Sequence, residues 1–179
     1  RKEFEDGLHS VASFYLVPED GKPLPPFQPG QFLTFQLPQE NGNPVVRCYS
    51  LSAAPHADYY RVSIKRVPAA PDSGLPAGLG SYYFHDQVAV GSVLQVRAPS
   101  GHFHIDQDNA PVVLIGGGIG ITPMLSMLNW LLAEQPQRER PRTEQPQRDR
   151  PRAEQPQRDR PREERQAPAA APKPCTLLA

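Results

Sequence analysis

The chain has 179 residues, of which 38% are hydrophobic and 21% charged, and its formal net charge is zero. This length allows one well-packed domain. No apolar run approaches the ~18 residues that a membrane span requires, which argues against an integral membrane protein. The zero charge averages two unlike parts, because residues 1–133 hold 8 basic and 11 acidic side chains whereas residues 134–179 hold 11 and 8.

The two cysteines, Cys48 and Cys175, lie far apart in the sequence. This spacing argues against a disulfide framework and against a cluster of cysteine ligands. Without a secretory apolar segment, the expected location is a reducing compartment, the cytoplasm. The first residue, Arg1, suggests a fragment or a processed start.

Residues 10–106 predict a series of short strands between loops rich in proline and glycine. The segments "SVASFYLV" and "GQFLTFQL" alternate apolar and polar side chains, as half-buried strands do. "VVRCYSLS", "YYRVSIKRV" and "GSVLQVRAP" share the enrichment in β-branched and aromatic residues. A short helical turn is predicted near "SYYFHDQV". Five or six strands at this spacing predict a mainly β fold, a small antiparallel barrel.

The composition changes after residue 108. The apolar run Val112–Ile115 predicts a strand buried on both faces and therefore parallel. Thr122 and Pro123 fit the N-cap and first turn of a helix, which is apolar nearly all round and is expected to be buried on several sides. Residues 109–133 are thus interpreted as the first strand, loop and helix of an α/β nucleotide-binding domain. This domain is incomplete, because a mononucleotide-binding half requires two βαβ units.

From Glu134 the unit "EQPQR(E/D)RPR" recurs with a period of ten, and proline falls every five residues from Pro136 to Pro161. Interior prolines oppose a helix, and the segment offers no apolar core. Residues 134–179 are therefore predicted to be a disordered tail. An alternative is an interaction protein that acts through the Arg/Pro units. The interleaved acidic residues and the lack of aromatic side chains disfavour nucleic acid as the partner.

The segment "RCYSLS", residues 47–52, combines a guanidinium with an aromatic ring. In an extended strand Arg47 and Tyr49 project from one face. Arginine binds phosphate bidentately and tyrosine covers flat rings, so the pair suits a ligand that has both. An ordinary strand with a surface arginine and a packed tyrosine is the alternative. Cys48 is expected to be a packed strand residue rather than a nucleophile.

Further segments occur in a fixed order around this one: "PGQFLTF" before it, then "YRVSIKR", "GLGS" and "GGGIGITPM". Together they resemble the FAD-binding barrel of the ferredoxin–NADP reductase family, in its flavohaemoglobin-reductase and iron–sulfur oxidoreductase branch. The resemblance covers about residues 1–133. It implies an antiparallel Greek-key barrel over residues 1–108. The implied activity is hydride transfer from NAD(P)H to N5 of FAD, followed by electron transfer to a haem or 2Fe–2S acceptor protein or domain.

The resemblance also implies residue roles. Arg47 would bind the FAD pyrophosphate, Tyr49 would stack on the isoalloxazine, and Ser50 would hydrogen-bond near N5, which makes Tyr49 and Ser50 the catalytic candidates. Because alternation places Ser50 on the face opposite Tyr49, a twist or bulge is expected there. The remaining candidates for binding FAD are Phe32, Cys48, Lys65, and the phosphate-cradling Gly78 and Ser81.

The second glycine-rich loop would hold the pyrophosphate of NAD(P)H; its candidates are Gly117, Gly118, Ile119, Gly120, Ile121 and Thr122. Since the domain that follows is incomplete, NAD(P)H binding is expected to be impaired. The alternative is a truncated protein that binds FAD but is catalytically incomplete. His102, His104 and Asp106 permit a metal interpretation, but no further ligand has a clear spacing. The resemblance makes their segment the last barrel strand, and no metal site is assigned.

Overall fold

The computed structural model describes residues 1–39, 42–71, 76–105, 111–138 and 175–178. Its strands are β1 (Lys2–Phe4), β2 (Val11–Pro18), β3 (Phe32–Leu37), β4 (Val45–Ser50), β5 (Tyr60–Lys65), β6 (Val93–Ser100) and β7 (Cys175–Leu178). Helix α1 (Leu79–Tyr82) continues into a π-helical turn, Tyr83–Gln87. A 3-10 turn, Gly118–Gly120, leads into helix α2 (Ile121–Arg138).

All strand pairs in the described part of the chain are antiparallel. They form a ring in the order β5, β2, β7, β6, β3, β4, and a bridge between Leu51 and Val62 connects the end of β4 back to β5. The molecule is therefore the predicted mainly β, antiparallel Greek-key barrel. The five predicted strands correspond to β2–β6, and the helical turn lies where it was expected. Strands β1 and β7 were not predicted.

The core lies inside this ring. Alternate residues of the strands point inward, and Phe14, Leu16, Leu33, Phe35 and Leu37 are completely buried. The ring of Phe84 enters from the π-helical turn and packs edge-to-face against Phe14 and Phe35, with centroids 5.2 and 5.0 Å apart. Burying each such side chain contributes about 1.5–3 kcal/mol. The helical segment is thereby attached to the barrel through its own core residue.

The predicted disordered tail has regular secondary structure near both of its ends. Residues 134–138 complete helix α2, although Pro136 lies within it. The proline removes one intrahelical hydrogen bond close to the helix end, where few further bonds depend on it. Residues 175–178 form β7, which pairs with Val93–Val96 of β6 and with Val17 and Pro18 of β2. The free edges of β2 and β6 supply backbone partners that the tetrapeptide lacks on its own. The rest of the tail lies outside the described residues.

The predicted parallel strand at Val112–Ile115 is wrong. These residues have no regular secondary structure, and Val113 and Ile115 are each 82% exposed. A parallel strand requires a neighbouring strand for its hydrogen bonds, and none is present beside this segment in the described structure. The segment "GHFHI" also differs from expectation, because β6 ends at Ser100 before it begins.

Helix α2 is buried on one side only. Thr122, Pro123, Ser126 and Met127 are buried, whereas Leu128 and Leu132 are 43% and 52% exposed. The Ser126 hydroxyl donates to the Ala53 carbonyl at 2.6 Å. The Met127 Cε lies against Gly30, where the positive φ of 108° and the nearby backbone carbonyl of Phe103 favour glycine. Thr122 is not the N-cap, because it follows Ile121 inside the helix and its hydroxyl donates to the Ile119 carbonyl.

Neither described helix is long and apolar enough to cross a lipid bilayer.

Ending the chain at Pro174 should destabilise the barrel, because it removes β7 and leaves the edges of β2 and β6 unpaired. The lost backbone hydrogen bonds correspond to about 1–3 kcal/mol, which lowers the melting temperature by roughly 3–10 °C. Unpaired edges also promote association, so an earlier gel-filtration peak should accompany the change. Deleting one repeat unit, residues 144–153, is the matched control. It should leave the melting temperature and the state of association unchanged. Equal melting temperatures for both deletions would contradict the role of β7.

Candidate functional site

A cleft of about 460 Å³ lies between the barrel, α1 and the 3-10 turn before α2. Three predicted segments meet there. From the barrel come Arg47, Cys48, Tyr49, Ser50 and Lys65. Gly78 and Ser81 border the cleft from the first glycine loop, and Ile119, Gly120 and Thr122 border it from the second. Residues more than 70 positions apart in the sequence thus border one cavity.

The tyrosine of this cleft is held by the core. Tyr49 is half-buried, and its ring packs edge-to-face against Phe35 and Phe84 at centroid distances of 5.8 and 5.2 Å. Burial raises the pKa of Tyr49 above its ordinary value, and the nearby Arg47 opposes this shift more weakly. The phenol therefore stays protonated at neutral pH. These contacts fix the ring in position at the edge of the cleft.

Arg47 lies two residues before Tyr49 on β4, and its side chain is exposed. One of its guanidinium nitrogens, Nη1, donates to the Val46 carbonyl at 2.8 Å. A guanidinium has five N–H donors, so this bond leaves capacity for a further acceptor. The strand thus presents a positive charge and an aromatic ring side by side.

A twist or bulge was expected near Ser50, and the pairing of β4 with β3 shows no bulge. The pairing of β4 with β3 runs without a shift from Val45 opposite Leu37 to Ser50 opposite Phe32. The irregularity lies instead between Phe32 and Thr34, in the pairing of β3 with β6. Ser50 nevertheless borders the cleft together with Tyr49. β4 forms the rim of the cavity, so consecutive residues border it without a bulge.

The first glycine loop lies directly against this strand. A Cβ on Gly80 would be 2.7 Å from the Tyr49 Oη and 2.9 Å from the Arg47 Cγ. Real Cβ atoms do not approach so closely, and glycine is therefore required for this contact. Gly78 caps α1 without a side-chain hydrogen bond, and the first N–H groups of a helix have no partner within it. The loop thus brings backbone donors to the Arg47 side of the cleft.

Ser81 stabilises this loop. Its hydroxyl donates to the Gly78 carbonyl at 2.8 Å and accepts from the Val67 N–H at 3.1 Å. Only 6% of Ser81 is exposed. Because its single hydroxyl proton is already donated, any contribution of this residue to anion binding comes chiefly from its backbone N–H.

Some of the predicted residues lie elsewhere. Phe32, Gly117, Gly118 and Ile121 are not among the residues that line the cleft. The ring of Phe32 lies instead over Gly101, where a Cβ would be 2.8 Å from the Phe32 Cε1. Cys48 is exposed rather than packed, because it lies on the outer face of β4. No group of three metal-ligating side chains occurs in the described ranges; Asp106 lies outside them.

The structure also adds cleft residues that the sequence interpretation missed. Leu79 and Pro123 belong to the two glycine motifs, and their positions within those motifs were a usable signal. Val67 borders the cleft as well. It lies in the loop after β5, and only the tertiary packing of that loop against Gly78 brings it there.

The fold is an antiparallel barrel, and its cleft combines a guanidinium, an aromatic ring and backbone donors, groups that suit a ligand with both a phosphate and a flat ring. The family model for the oxidoreductase FAD-binding domain matches residues 9–105, more than half of the chain. The chain belongs to this family, and FAD is the cofactor of its barrel.

Several known proteins are similar to this chain. A flavohemoprotein from Oceanobacillus iheyensis is 47% identical over 130 residues, 72% of this chain and 31% of that protein. The chain thus spans about a third of the length of the curated relatives it matches. The flavohem-like FAD/NAD-binding domain of nitric oxide dioxygenase from Vibrio cholerae O1 biovar El Tor has 38% identity and a TM-score of 0.66, over 75% of this chain and 55% of that one.

A third similar protein is phthalate dioxygenase reductase, described as a modular structure for electron transfer from pyridine nucleotides to 2Fe–2S. Its identity is 38% and its TM-score 0.57, over 70% of this chain and 36% of that one.

Replacing Gly80 by alanine should reduce FAD affinity, because the added Cβ pushes the loop away from Arg47 and Tyr49. A displacement of this kind corresponds to about a tenfold rise in Kd. Quenching of FAD fluorescence on binding gives the value.

Gly7→Ala is the matched control, since nothing lies within 4 Å of a Cβ there. An unchanged Kd in Gly80→Ala would show that the close approach has no role in binding.

Proposed function

We propose that this chain is the flavin-binding part of an NAD(P)H-dependent oxidoreductase that passes electrons to a haem or 2Fe–2S acceptor. The observation that carries the proposal is the convergence of Arg47, Tyr49, Ser50 and the Gly78–Ser81 loop on one cleft of an FAD-binding barrel. Bound FAD supplies the chemistry, taking up a hydride and releasing electrons one at a time. The protein supplies binding and orientation.

The residues of the cleft fit such a cofactor. Arg47 and the backbone N–H groups of residues 79–81 would bind the pyrophosphate, because a guanidinium and a helix start both favour phosphate. Lys65 is exposed at the same cleft and would add positive charge. The close contact of Gly80 with Arg47 supports this assignment, since it places the two phosphate-binding elements side by side.

Tyr49 and Ser50 would act at the ring system. Tyr49 would stack on the isoalloxazine, its own ring being fixed by Phe35 and Phe84. Ser50 would donate or accept a hydrogen bond at the reacting N5. Cys48, between Arg47 and Tyr49, would contribute its backbone. Phe32 would add a second aromatic contact to the flavin after its ring moves from its position over Gly101.

The second glycine loop would receive the pyrophosphate of NAD(P)H. Ile119, Gly120 and Thr122 border the flavin cleft, and Gly117, Gly118 and Ile121 belong to the same turn. Hydride transfer requires the two bound nucleotides to lie next to each other, and a glycine loop at the edge of the flavin cleft would allow this. A complete crevice for the dinucleotide also needs a second parallel strand. The described residues contain no parallel pair, so we propose that this chain binds NAD(P)H weakly.

The acceptor is proposed from the relatives. Flavohemoprotein names a haem protein, and phthalate dioxygenase reductase is described as transferring electrons to 2Fe–2S. A haem or 2Fe–2S protein or domain is therefore the partner expected here. A cytoplasmic location is part of the same proposal and is consistent with two cysteines that lie far apart in the sequence.

Arg47→Ala should weaken FAD binding by roughly 10–100-fold, because a charge-assisted bond to phosphate contributes about 1.5–3 kcal/mol. The measurement is flavin absorbance that remains with the protein after gel filtration, followed by titration.

Arg97→Ala is the control, since Arg97 is exposed on β6 and does not line the cleft. If the unaltered chain retained no FAD, the proposed function would be rejected.

In the FAD-loaded chain, NADPH or NADH should bleach the flavin absorbance slowly under anaerobic conditions. At about 1 mM nucleotide we expect a rate below about 0.01 s⁻¹, at least 100-fold under ordinary turnover. The physical reason is that the 112–115 segment has no parallel neighbour among the residues that the structure describes. Dithionite is the control and should bleach the same sample fully. Bleaching by NADPH within seconds would show that the loop and α2 suffice for hydride transfer.

A further inference from the structure

Lys2 of β1 contacts the far end of the helical segment that carries the first glycine loop. Its Nζ lies 3.3, 2.6 and 3.0 Å from the carbonyl oxygens of Phe84, His85 and Val88. An ammonium group has three donors, and three carbonyls lie within reach of them. Carbonyls at the end of a helix have no partner within it. Lys2 therefore caps the segment that runs from Leu79 to Gln87.

Strand β1 holds this lysine in a fixed place. Lys2 pairs with Phe14 and Phe4 with Ala12, both in the first half of β2. The ammonium also lies 5.4 Å from the centre of the Phe14 ring. Burial lowers the pKa of Lys2; the Asp86 carboxylate raises it, and the Arg66 guanidinium lowers it further. The group is thus partly removed from water and anchored to the barrel wall.

The opposite end of the same segment forms the cleft. Helix α1 and the π-helical turn are continuous and together nine residues long. The proposed phosphate donors lie at residues 79–81, and the capped carbonyls belong to Phe84, His85 and Val88. The side chains of the segment make further contacts: Phe84 packs in the core, the His85 Nε2 donates to the Ile64 carbonyl at 2.9 Å, and Asp86 forms an ion pair with Arg66. Lys2 instead binds the backbone carbonyls at the end of the segment. Because the segment is short and rigid, holding its C-terminal end also holds its N-terminal end, which borders the cleft.

We propose that Lys2 is a positioning residue for the phosphate groups of the bound cofactor, acting through the Leu79–Gln87 segment. This inference rests on the proposed function. It concerns chiefly the phosphate groups, because Tyr49 lies on β4 and packs against Phe35 of β3 as well as against Phe84 of the segment. The rim residues Gly78 and Ser81 are held by hydrogen bonds to Val67. Lys2 itself does not line the cleft.

The test compares two ligands that differ in phosphate. FAD carries a pyrophosphate and riboflavin carries none, while both have the same isoalloxazine. The Lys2→Met variant of the full chain keeps the side-chain length but loses the charge and the donors. We expect its Kd for FAD to rise about tenfold and its Kd for riboflavin to change less than about twofold. Lys2→Arg, which retains charge and donors, should restore FAD affinity to within about threefold.

Lys22→Met is the matched control, because Lys22 is exposed and pairs only with the nearby Asp20 among the contacts described. It should bind both ligands as the unaltered chain does. Should Lys2→Met fail to fold, Lys2→Gln, which retains a donor, gives the same comparison of ligands. The melting temperature without flavin identifies a general loss of structure.

The results of these measurements distinguish the positioning role of Lys2 from the proposed function of the chain. If the unaltered chain binds FAD and Lys2→Met binds it equally well, the positioning role is overturned and the proposed function stands. Equal weakening for FAD and riboflavin, with a lower melting temperature, also overturns the positioning role, since Lys2 would then be merely structural. No FAD binding by the unaltered chain overturns the proposed function and this inference with it.

Discussion

The contact between Gly80 and the Arg47–Tyr49 strand is the constraint on which the site depends. A Cβ on Gly80 would overlap the Tyr49 hydroxyl, so any larger residue would separate the loop from the strand. With glycine there, a guanidinium, an aromatic ring and the start of a helix share one cleft. A cofactor with a flat ring and a pyrophosphate needs all three, and no single element of the chain supplies them.

The barrel holds this contact from both sides. Phe84 fixes the helical segment to the core and also packs against Tyr49, so the loop and the strand share one anchor. Lys2 holds the other end of the segment through its carbonyls. Ring closure depends on parts of the chain that are far apart in the sequence, because β7 (Cys175–Leu178) lies between β2 and β6. Backbone pairing with both strands holds β7 in this place.

Helix α2 shows that a local sequence motif can form without the neighbouring strand that its pattern predicts. The turn before it borders the cleft, and Ser126 and Met127 attach the helix to the barrel. The preceding apolar run has the composition of a buried strand, yet it is exposed because no second strand lies beside it in the described structure. The amino-acid composition specifies which side chains prefer to be buried, but their burial also requires a neighbouring strand or helix to pack against.

The strands β2–β6, the barrel class and most of the cleft residues could be predicted from the amino-acid sequence. Alternating side chains and glycine motifs are local signals, and local backbone geometry follows from them. The unshifted register of β4, the exposure of Cys48, the position of Phe32 over Gly101, the contacts of Lys2 and the pairing of β7 could not be predicted in this way. Each of these depends on which distant backbone or side chain comes close. No local pattern encodes that proximity, because it arises only when the ring of strands closes.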